Sequence, residues 1–330
     1  MKLFKNIVLF LLSLYTLQTF AVTATDTIAQ TEYFSFHNNK WMNIHHFLFE
    51  KASHEQKKYL AKDSLDFINI QEEKIYAQLS APEKKTLQDC IAYYTTNIID
   101  QPLLHSAKIF KWLQKQAPVT PITDTTLSQE YTNTLNKVNT IYEKHFWKTH
   151  KKQNDILLTP YLKIIKQTET QVIHKMEELS GNRWKGQIRI DITTYGNWAS
   201  AYSPDLDNIV ISSIDPLLHS TLFIEFVFHE SSHLLFLRSS PFRKSIYDSA
   251  KEQDIAYSKN LWHAAMFYLS GIVTKDVLKT INLKHDLIMK KKNVYGKYYT
   301  NTAFKKVLNT YYNKKASLNE TALQLVQLNL

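Results

Sequence analysis

Three residues have the types and the spacing of a metal centre with a base beside it. They are His229, Glu230 and His233, in the run Phe226-Val-Phe-His-Glu-Ser-Ser-His. On a helix, side chains four positions apart lie on the same face, so both imidazoles can reach one tetrahedral Zn²⁺. Glu230 then points beside the ion, where its carboxylate can take a proton from a water molecule that zinc has acidified. The spacing predicts a zinc site with Glu230 as general base.

The surroundings of this H-E-x-x-H run support the prediction. Residues 226–228 before it and 234–236 after it are apolar. Two histidines and a carboxylate would therefore be buried together, and buried polar groups need a partner or a metal. Satisfied core histidines are the alternative interpretation, which we consider the weaker one.

A zinc site of this kind needs a third protein ligand, and two residues downstream are candidates. Glu252 lies 19 positions after His233 in the polar run Lys251-Glu-Gln-Asp, which is typical of a solvated helix surface. His263 lies 30 positions after His233 in an apolar segment, where a buried imidazole needs a reason. On one continuous helix the two would lie roughly 16 Å apart, so only one can bind the ion. We expect His263; if Glu252 is the ligand, His263 could stabilise the oxyanion.

Three further residues could support the site. Glu225 lies one turn before His229 and could orient it, or could be a buried salt-bridge partner. Tyr202 and Tyr268 could donate to the oxyanion, but with 19 tyrosines in the chain core packing is the favoured interpretation.

Other residues with reactive side chains receive no catalytic role. His145 and His150 are five apart, a poor spacing for a shared metal, and could line the cleft or be surface and core residues. In the adjacent pair His45 and His46, we expect at most one ring to be interior. Cys90 lies in a helical pattern in which a buried structural thiol is the common case.

With these residues in place, the chain resembles the zincin metallopeptidases. In that family strands precede an active-site helix with this motif, and a later helix gives the third ligand. The resemblance covers residues 187–278 at best, is specific only at the three motif residues, and favours the gluzincin-like layout. The metzincin variant would need Gly at 236 and His at 239, where the chain has Phe236 and Ser239. The helical flanks also resemble uncharacterised exported bacterial proteins with this motif. The family implies zinc as cofactor and a peptide or protein substrate.

The elements around the motif predict a mainly α fold with a small β-sheet, an α+β protein. Helical periodicity extends from about Phe34 to Leu179, and alternation then predicts strands over Gln187–Thr194 and Asn208–Ser213 with a turn between them. We expect Ile209–Ser213 to pair with an extended peptide substrate. Helices are predicted from Asp215-Pro216 to Leu237 and over residues 261–278 and 304–328.

The predicted organisation is a signal peptide over residues 1–24, a helical domain over 25–180 and a zincin-like metal-binding catalytic domain over 181–330. Lys2 and Lys5 precede the apolar stretch of residues 7–17, and Ala21 and Ala24 offer small-residue cleavage positions. We therefore expect a periplasmic or secreted protein. No later segment is apolar enough to cross a membrane.

The composition narrows the possible partners. The net charge is +10, and +8 without the two lysines of the signal. Lysine clusters could give weak contact with an anionic envelope surface, although solvated helix faces are the favoured interpretation. Five glycines cannot supply a P-loop or a dinucleotide fingerprint, and no nucleic-acid-binding module is recognisable. The single cysteine excludes an internal disulfide.

Two functions fit these observations. The first is an exported zinc-dependent metallopeptidase that uses His229, His233 and His263 as ligands and Glu230 as base. The alternative is a non-catalytic metal-binding envelope or interaction protein that retains the motif helix. The sequence favours the enzyme, because a structural zinc site has no need of Glu230 and would close its fourth position with another His or Cys.

Overall fold

The computed structural model describes residues 26–58, 70–117, 121–197 and 199–330; the predicted signal peptide lies outside these ranges. The fold is mainly helical with one small mixed sheet, as predicted. The strands are β1 (Thr27–Gln30), β2 (Phe34–His37), β3 (Ile188–Thr193), β4 (Ala201–Asp205) and β5 (Asn208–Ser212). The helices are α1 (Lys40–Gln56), α2 (Ile70–Gln78), α3 (Ala81–Asn97), α4 (Ala107–Leu113), α5 (Gln129–His145), α6 (Trp147–Leu158), α7 (Leu162–Ser180), α8 (Leu222–Ser232), α9 (Pro241–Glu252), α10 (Leu261–Thr280), α11 (Ile288–Lys291), α12 (Gly296–Thr300), α13 (Thr302–Tyr312) and α14 (Leu318–Gln327).

The helical prediction that began at Phe34 is wrong for Phe34–His37. These residues form β2, which pairs in parallel with β3 and antiparallel with β1. All four residues of β2 are buried, because the sheet is covered on both faces. The run Phe34-Ser-Phe-His alternates apolar and polar residues, but only over four positions, which is too short to separate it from the helical pattern that follows.

The sheet has the order β1-β2-β3-β5-β4, and this order corrects the predicted role of β5. Strands β3 and β5 are parallel neighbours, and β4 forms in the segment predicted to be a turn. Because β5 is paired on both sides, the prediction that it pairs with a peptide substrate is wrong. Strand β4 lies at the edge, a position that tolerates Pro204.

The helix predicted from Asp215-Pro216 to Leu237 consists of two elements. Asp215 caps a short 3₁₀ helix (Pro216–Leu218), and α8 begins only at Leu222. Helix α8 ends at Ser232, where the following N–H groups bond to carbonyls three residues back and tighten the last turn. The motif histidines therefore lie at the C-terminal end of α8.

The helix predicted over residues 304–328 is also divided, into α13 and α14. Lys314 has a left-handed backbone with φ of 58°, and Ser317 and Glu320 form a capping box that starts α14. This Ser-x-x-Glu spacing is typical of a helix start and marks the division of the predicted continuous helix. Within the helical periodicity predicted up to Leu179, α1 and α5 are confirmed, and the helix predicted over residues 261–278 is confirmed as part of α10.

Among the described residues, two hydrophobic clusters fill the interior on either side of the sheet. The larger contains side chains of β2, β3, α7, α8 and α10, and the smaller is built by α1, α3 and α5 and reaches the sheet through Tyr202 and Val210. Helix α7 packs in the larger cluster, although it belongs to the predicted helical domain that ends at residue 180. The domain boundary predicted at this residue stays a prediction. Among the described helices, none has both the length and the hydropathy to span a bilayer.

Candidate metal centre

The packing of α10 against α8 brings three histidines together. His229 lies in the last turn of α8, His233 follows at its C-cap, and His263 lies in the first turn of α10. One ring nitrogen of each lies within 4.8 Å of those of the other two. Three imidazoles are a donor set that suits Zn²⁺.

The protonation of the three histidines is compatible with metal binding. Burial, together with electrostatic repulsion from the rings of His263 and His233, holds the pKa of His229 well below its usual range. Burial and nearby charges lower the pKa of His233 to about 3 and that of His263 to about 4. All three rings are therefore neutral at neutral pH, the form in which a ring nitrogen can donate its lone pair to a metal.

Hydrogen bonds on the outer nitrogens orient two of the rings. His229 Nδ1 lies 3.3 Å from the hydroxyl of Ser270, which itself donates to the carbonyl oxygen of Phe267. His263 Nδ1 lies 2.7 Å from the hydroxyl of Tyr295. With Nδ1 engaged in both rings, Nε2 is the nitrogen available to an ion, and Nε2 of His263 is buried without a hydrogen-bond partner. This buried, unpaired nitrogen is the feature that a metal would satisfy.

Glu230 lies beside the three histidines and not among them. Its Oε2 is 3.9 Å from His233 Nε2 and accepts a hydrogen bond of 2.8 Å from the hydroxyl of Ser203 on β4. Burial raises the pKa of Glu230 to about 7, although the hydrogen bond from Ser203 lowers it. The carboxyl group is thus held next to the proposed metal position by the edge of the sheet.

The three histidines and Glu230 open into a cavity of about 1000 Å³. Trp262, Phe267 and Tyr295 line it together with the histidines, and Phe49 and Leu103 of the smaller cluster also line it. The cavity therefore extends from the three histidines to the smaller cluster, and its walls are largely apolar and aromatic. This is the form of a ligand site, in which few polar groups determine orientation.

A cation borders the centre on the side of Trp262. The guanidinium of Arg243 lies 3.7 Å from the centre of the Trp262 ring, which in turn contacts His233 and His263. Its charge adds to burial in lowering the pKa of both histidines. Arg243 therefore disfavours protonation of His233 and His263, and it is this protonation that would compete with metal binding.

The two candidates for the third ligand are clearly separated. Glu252 is the exposed last residue of α9, and α10 begins only at Leu261, so no continuous helix joins it to His263. Only His263 is brought to the motif histidines. The hydrogen-bond partners of Glu225 are residues other than His229: its Oε2 is 2.6 Å from His285 Nε2 and accepts from the N–H of Ile288, which confirms the salt-bridge interpretation.

The tyrosines considered as oxyanion donors have other partners. The hydroxyl of Tyr202 lies 2.7 Å from Nε2 of His46, and that of Tyr268 donates to Asn309 at 3.2 Å. The ring of Tyr202 still lines the cavity, but its hydroxyl bonds to His46 of α1. Core packing, the favoured interpretation, accounts for both residues.

The remaining histidines and Cys90 are structural. His145 bonds to Glu83, and His150 is buried with Tyr142 and Glu72. The expectation that at most one ring of His45 and His46 is interior is wrong, because both are fully buried. Helix α1 packs against α3 and α5, and His46 contacts Phe110 of α4 and Tyr202 of β4, so this part of α1 is enclosed. Cys90 is buried, and burial raises its pKa to about 11.

Three residues at the site were not found from the sequence. Ser203, Ser270 and Tyr295 contact Glu230, His229 and His263 from 27, 41 and 32 positions away. Each is a common residue type in an ordinary segment, and no spacing rule connects it to the motif. No protein-family model, curated protein or solved structure matches the chain.

Proposed function

We propose that this chain is an exported zinc-dependent hydrolase that acts as a metallopeptidase. The observation that carries the proposal is the convergence of His229, His233 and His263 around one point, with Glu230 beside it. The large cavity in front of this cluster supports a catalytic role, because a structural metal site needs no space for a substrate.

The residues of the site would have two roles, metal binding and proton transfer. His229, His233 and His263 would hold the zinc ion, which supplies Lewis-acid activation of water and of the substrate carbonyl. Glu230 takes the proton of the attacking water on a carboxylate oxygen and returns it to the leaving nitrogen. Ser203 holds that carboxylate in place, and the apolar walls of the cavity exclude bulk water.

Metal content tests the ligand set. We expect stoichiometric zinc in the purified wild type and a loss of at least tenfold in affinity in His229→Ala and in His263→Ala. His174→Ala, which replaces an exposed histidine on α7, is the matched control and should keep its zinc. Zinc that stays stoichiometric in His229→Ala would refute the site, and retention in His263→Ala alone would reject the third ligand.

Turnover tests the reaction. Against a peptide library, Glu230→Gln should keep its zinc and lose about 10²- to 10⁴-fold in rate, because a general base is removed and the ligands are not. Cleavage at equal rates by wild type and Glu230→Gln would reject the role of the base. Zinc binding by the wild type with no cleavage of any peptide would instead favour the non-catalytic metal-binding protein.

Export is part of the same proposal and is supported by the basic and apolar segments at the start of the sequence. We expect the mature chain to begin near Val22 or Thr25 and to act in the periplasm or outside the cell. Mass spectrometry of protein recovered from the periplasm would test this. An intact Met1 on the exported chain would contradict cleavage.

A further inference from the structure

Tyr295 has an unusual backbone conformation for an aromatic residue. Its φ and ψ are 54° and 39°, in the left-handed region, which bulky residues rarely adopt. The conformation is fixed from the C-terminal side, where the carbonyl oxygen of Tyr295 accepts from the N–H groups of Tyr298 and Tyr299 at the start of α12. Residues held in this region at a cost in energy are concentrated at functional sites.

The same conformation directs the side chain of Tyr295 to the metal centre. Its hydroxyl is 2.7 Å from His263 Nδ1, and the two rings meet edge to face with centroids 5.3 Å apart. The other nitrogen of His263, Nε2, is buried without a partner and belongs to the cluster with His229 and His233. Tyr295 thus contacts the ring on the side opposite to the proposed ion.

We propose that Tyr295 is a positioning residue of the metal centre. Its phenol oxygen accepts the Nδ1–H of His263, which selects the tautomer and the ring orientation in which Nε2 offers its lone pair to the ion. The left-handed backbone at Tyr295 is retained because it brings the phenol to this nitrogen. The inference depends on the proposed zinc site but not on peptide cleavage.

The hydrogen bond to His263 should matter more than the corresponding one to His229. The contact from Tyr295 is 2.7 Å, whereas Ser270 lies 3.3 Å from His229 Nδ1. His229 is also held by stacking on Phe267, with ring centroids 3.7 Å apart, and is almost fully buried. His263 is the more accessible of the two and depends more on its polar partner.

Zinc affinity of the full chain, measured by competition with a chromogenic chelator, tests the proposal. Tyr295→Phe removes only the hydroxyl and should weaken zinc binding about 10- to 100-fold. Tyr298→Phe is the matched control, because it removes a hydroxyl from a buried tyrosine three residues on whose partner is the carbonyl oxygen of Leu330. The control should stay within about twofold of wild type, and Ser270→Ala should fall between the two.

Two further measurements separate positioning from a merely structural role. In the presence of excess chelator, Tyr295→Phe should unfold within a few degrees of wild type, while the increase in Tm on adding zinc should be smaller than in wild type. The visible absorption of bound Co²⁺ should also change in Tyr295→Phe and not in Tyr298→Phe, because it reports the geometry of the ligands. A lower Tm with chelator and an unchanged affinity would indicate structure alone and overturn the proposal.

The outcomes distinguish this inference from the proposed function. Equal zinc affinity in wild type and Tyr295→Phe would overturn the positioning role and leave the hydrolase intact. Tight zinc binding that depends on Tyr295, with no cleavage of any peptide, would overturn the hydrolase and support the positioning role. A wild type that binds no zinc would overturn both.

Discussion

The hydroxyl of Ser203 lies 2.8 Å from Oε2 of Glu230 and 3.0 Å from the carbonyl oxygen of the same residue. Ser203 belongs to the edge strand β4, and Glu230 belongs to α8. The side chain of Ser203 therefore links the sheet to Glu230, the proposed general base. It also limits the rotamers of a carboxyl group that lies 3.9 Å from His233 Nε2.

Replacement of this serine should lower turnover without releasing the metal. In Ser203→Ala we expect kcat/KM for peptide hydrolysis to fall about 10-fold, since a hydrogen bond to a charged group is lost while the three histidines are untouched. Zinc content should match wild type. Steady-state kinetics and elemental analysis on the same preparation measure both quantities.

Ser212→Ala is the matched control for this prediction. Ser212 lies in the neighbouring strand β5, and its hydroxyl donates to the carbonyl oxygen of Thr194, remote from Glu230. Its replacement should affect stability and not kcat/KM. Equal kinetic losses in the two variants would mean that the integrity of the sheet, and not the contact with Glu230, controls the rate.

The part of the site that could be predicted from the sequence is the part that one helix carries. His229, Glu230 and His233 are within five positions, so helical geometry alone relates them. The apolar character of its segment favours His263 over Glu252 as the third ligand, and most of the first three turns of α10 is buried. Ser203 and Tyr295 depend on the packing of β4 and of the segment before α12, and no local pattern encodes that packing.

The fold was predictable to a similar extent. Long amphipathic helices such as α5 follow from their period, and the strands β3 and β5 from their apolar residues. The alternation in β2 is only four residues long, and β4 contains a proline in a segment predicted to be a turn. The order of the strands depends on long-range pairing, so the edge position of β4 could not be deduced.

The network around Asp26 predicts how stability depends on pH. Burial raises the pKa of Asp26, but the hydrogen bond from His37 and the charge of Arg189 outweigh burial and hold this pKa below its usual range. A lowered pKa in the folded state stabilises the fold above the ordinary value near 4, and this contribution is lost as the pH falls through the folded pKa.

Asp26→Asn should therefore reduce the free energy of unfolding at pH 7 by about 1.5–3 kcal/mol, with the difference from wild type shrinking below about pH 4. Denaturant unfolding at pH 7, 5 and 3.5 measures this. Asp207→Asn, at an exposed aspartate 3.8 Å from Lys111, is the control and should have little effect at any pH. A difference that grows on acidification would contradict the assignment of Asp26.

The buried pair Glu225 and His285 predicts a large loss of stability when one of the two side chains is removed. Both side chains are fully buried, and Nε2 of His285 is 2.6 Å from Oε2 of Glu225. In His285→Ala the carboxyl group loses its histidine partner and keeps only the N–H of Ile288, and we expect the free energy of unfolding to fall by about 3–5 kcal/mol. Thermal or denaturant unfolding provides the measurement.

The double variant Glu225→Leu/His285→Leu tests the physical reason for that loss. Replacing both members of a buried pair by apolar residues removes the unpaired group, so the double variant should be more stable than His285→Ala. If the double variant were the less stable of the two, packing around α8 and α11, and not an uncompensated carboxyl group, would explain the loss.

The contact between Tyr202 and His46 predicts that the hydroxyl of Tyr202 takes no part in hydrolysis. His46 Nδ1 lies 2.7 Å from the carbonyl oxygen of Met42, to which only an N–H can donate, so Nε2 accepts the hydroxyl hydrogen of Tyr202. A hydroxyl that donates into the core cannot also donate to an oxyanion in the cavity. Tyr202→Phe should lower the free energy of unfolding by about 1 kcal/mol and change kcat by less than about twofold. Unfolding curves and peptide kinetics measure the two effects. A loss of kcat of tenfold or more at unchanged stability would mean that the hydroxyl leaves His46 when substrate binds.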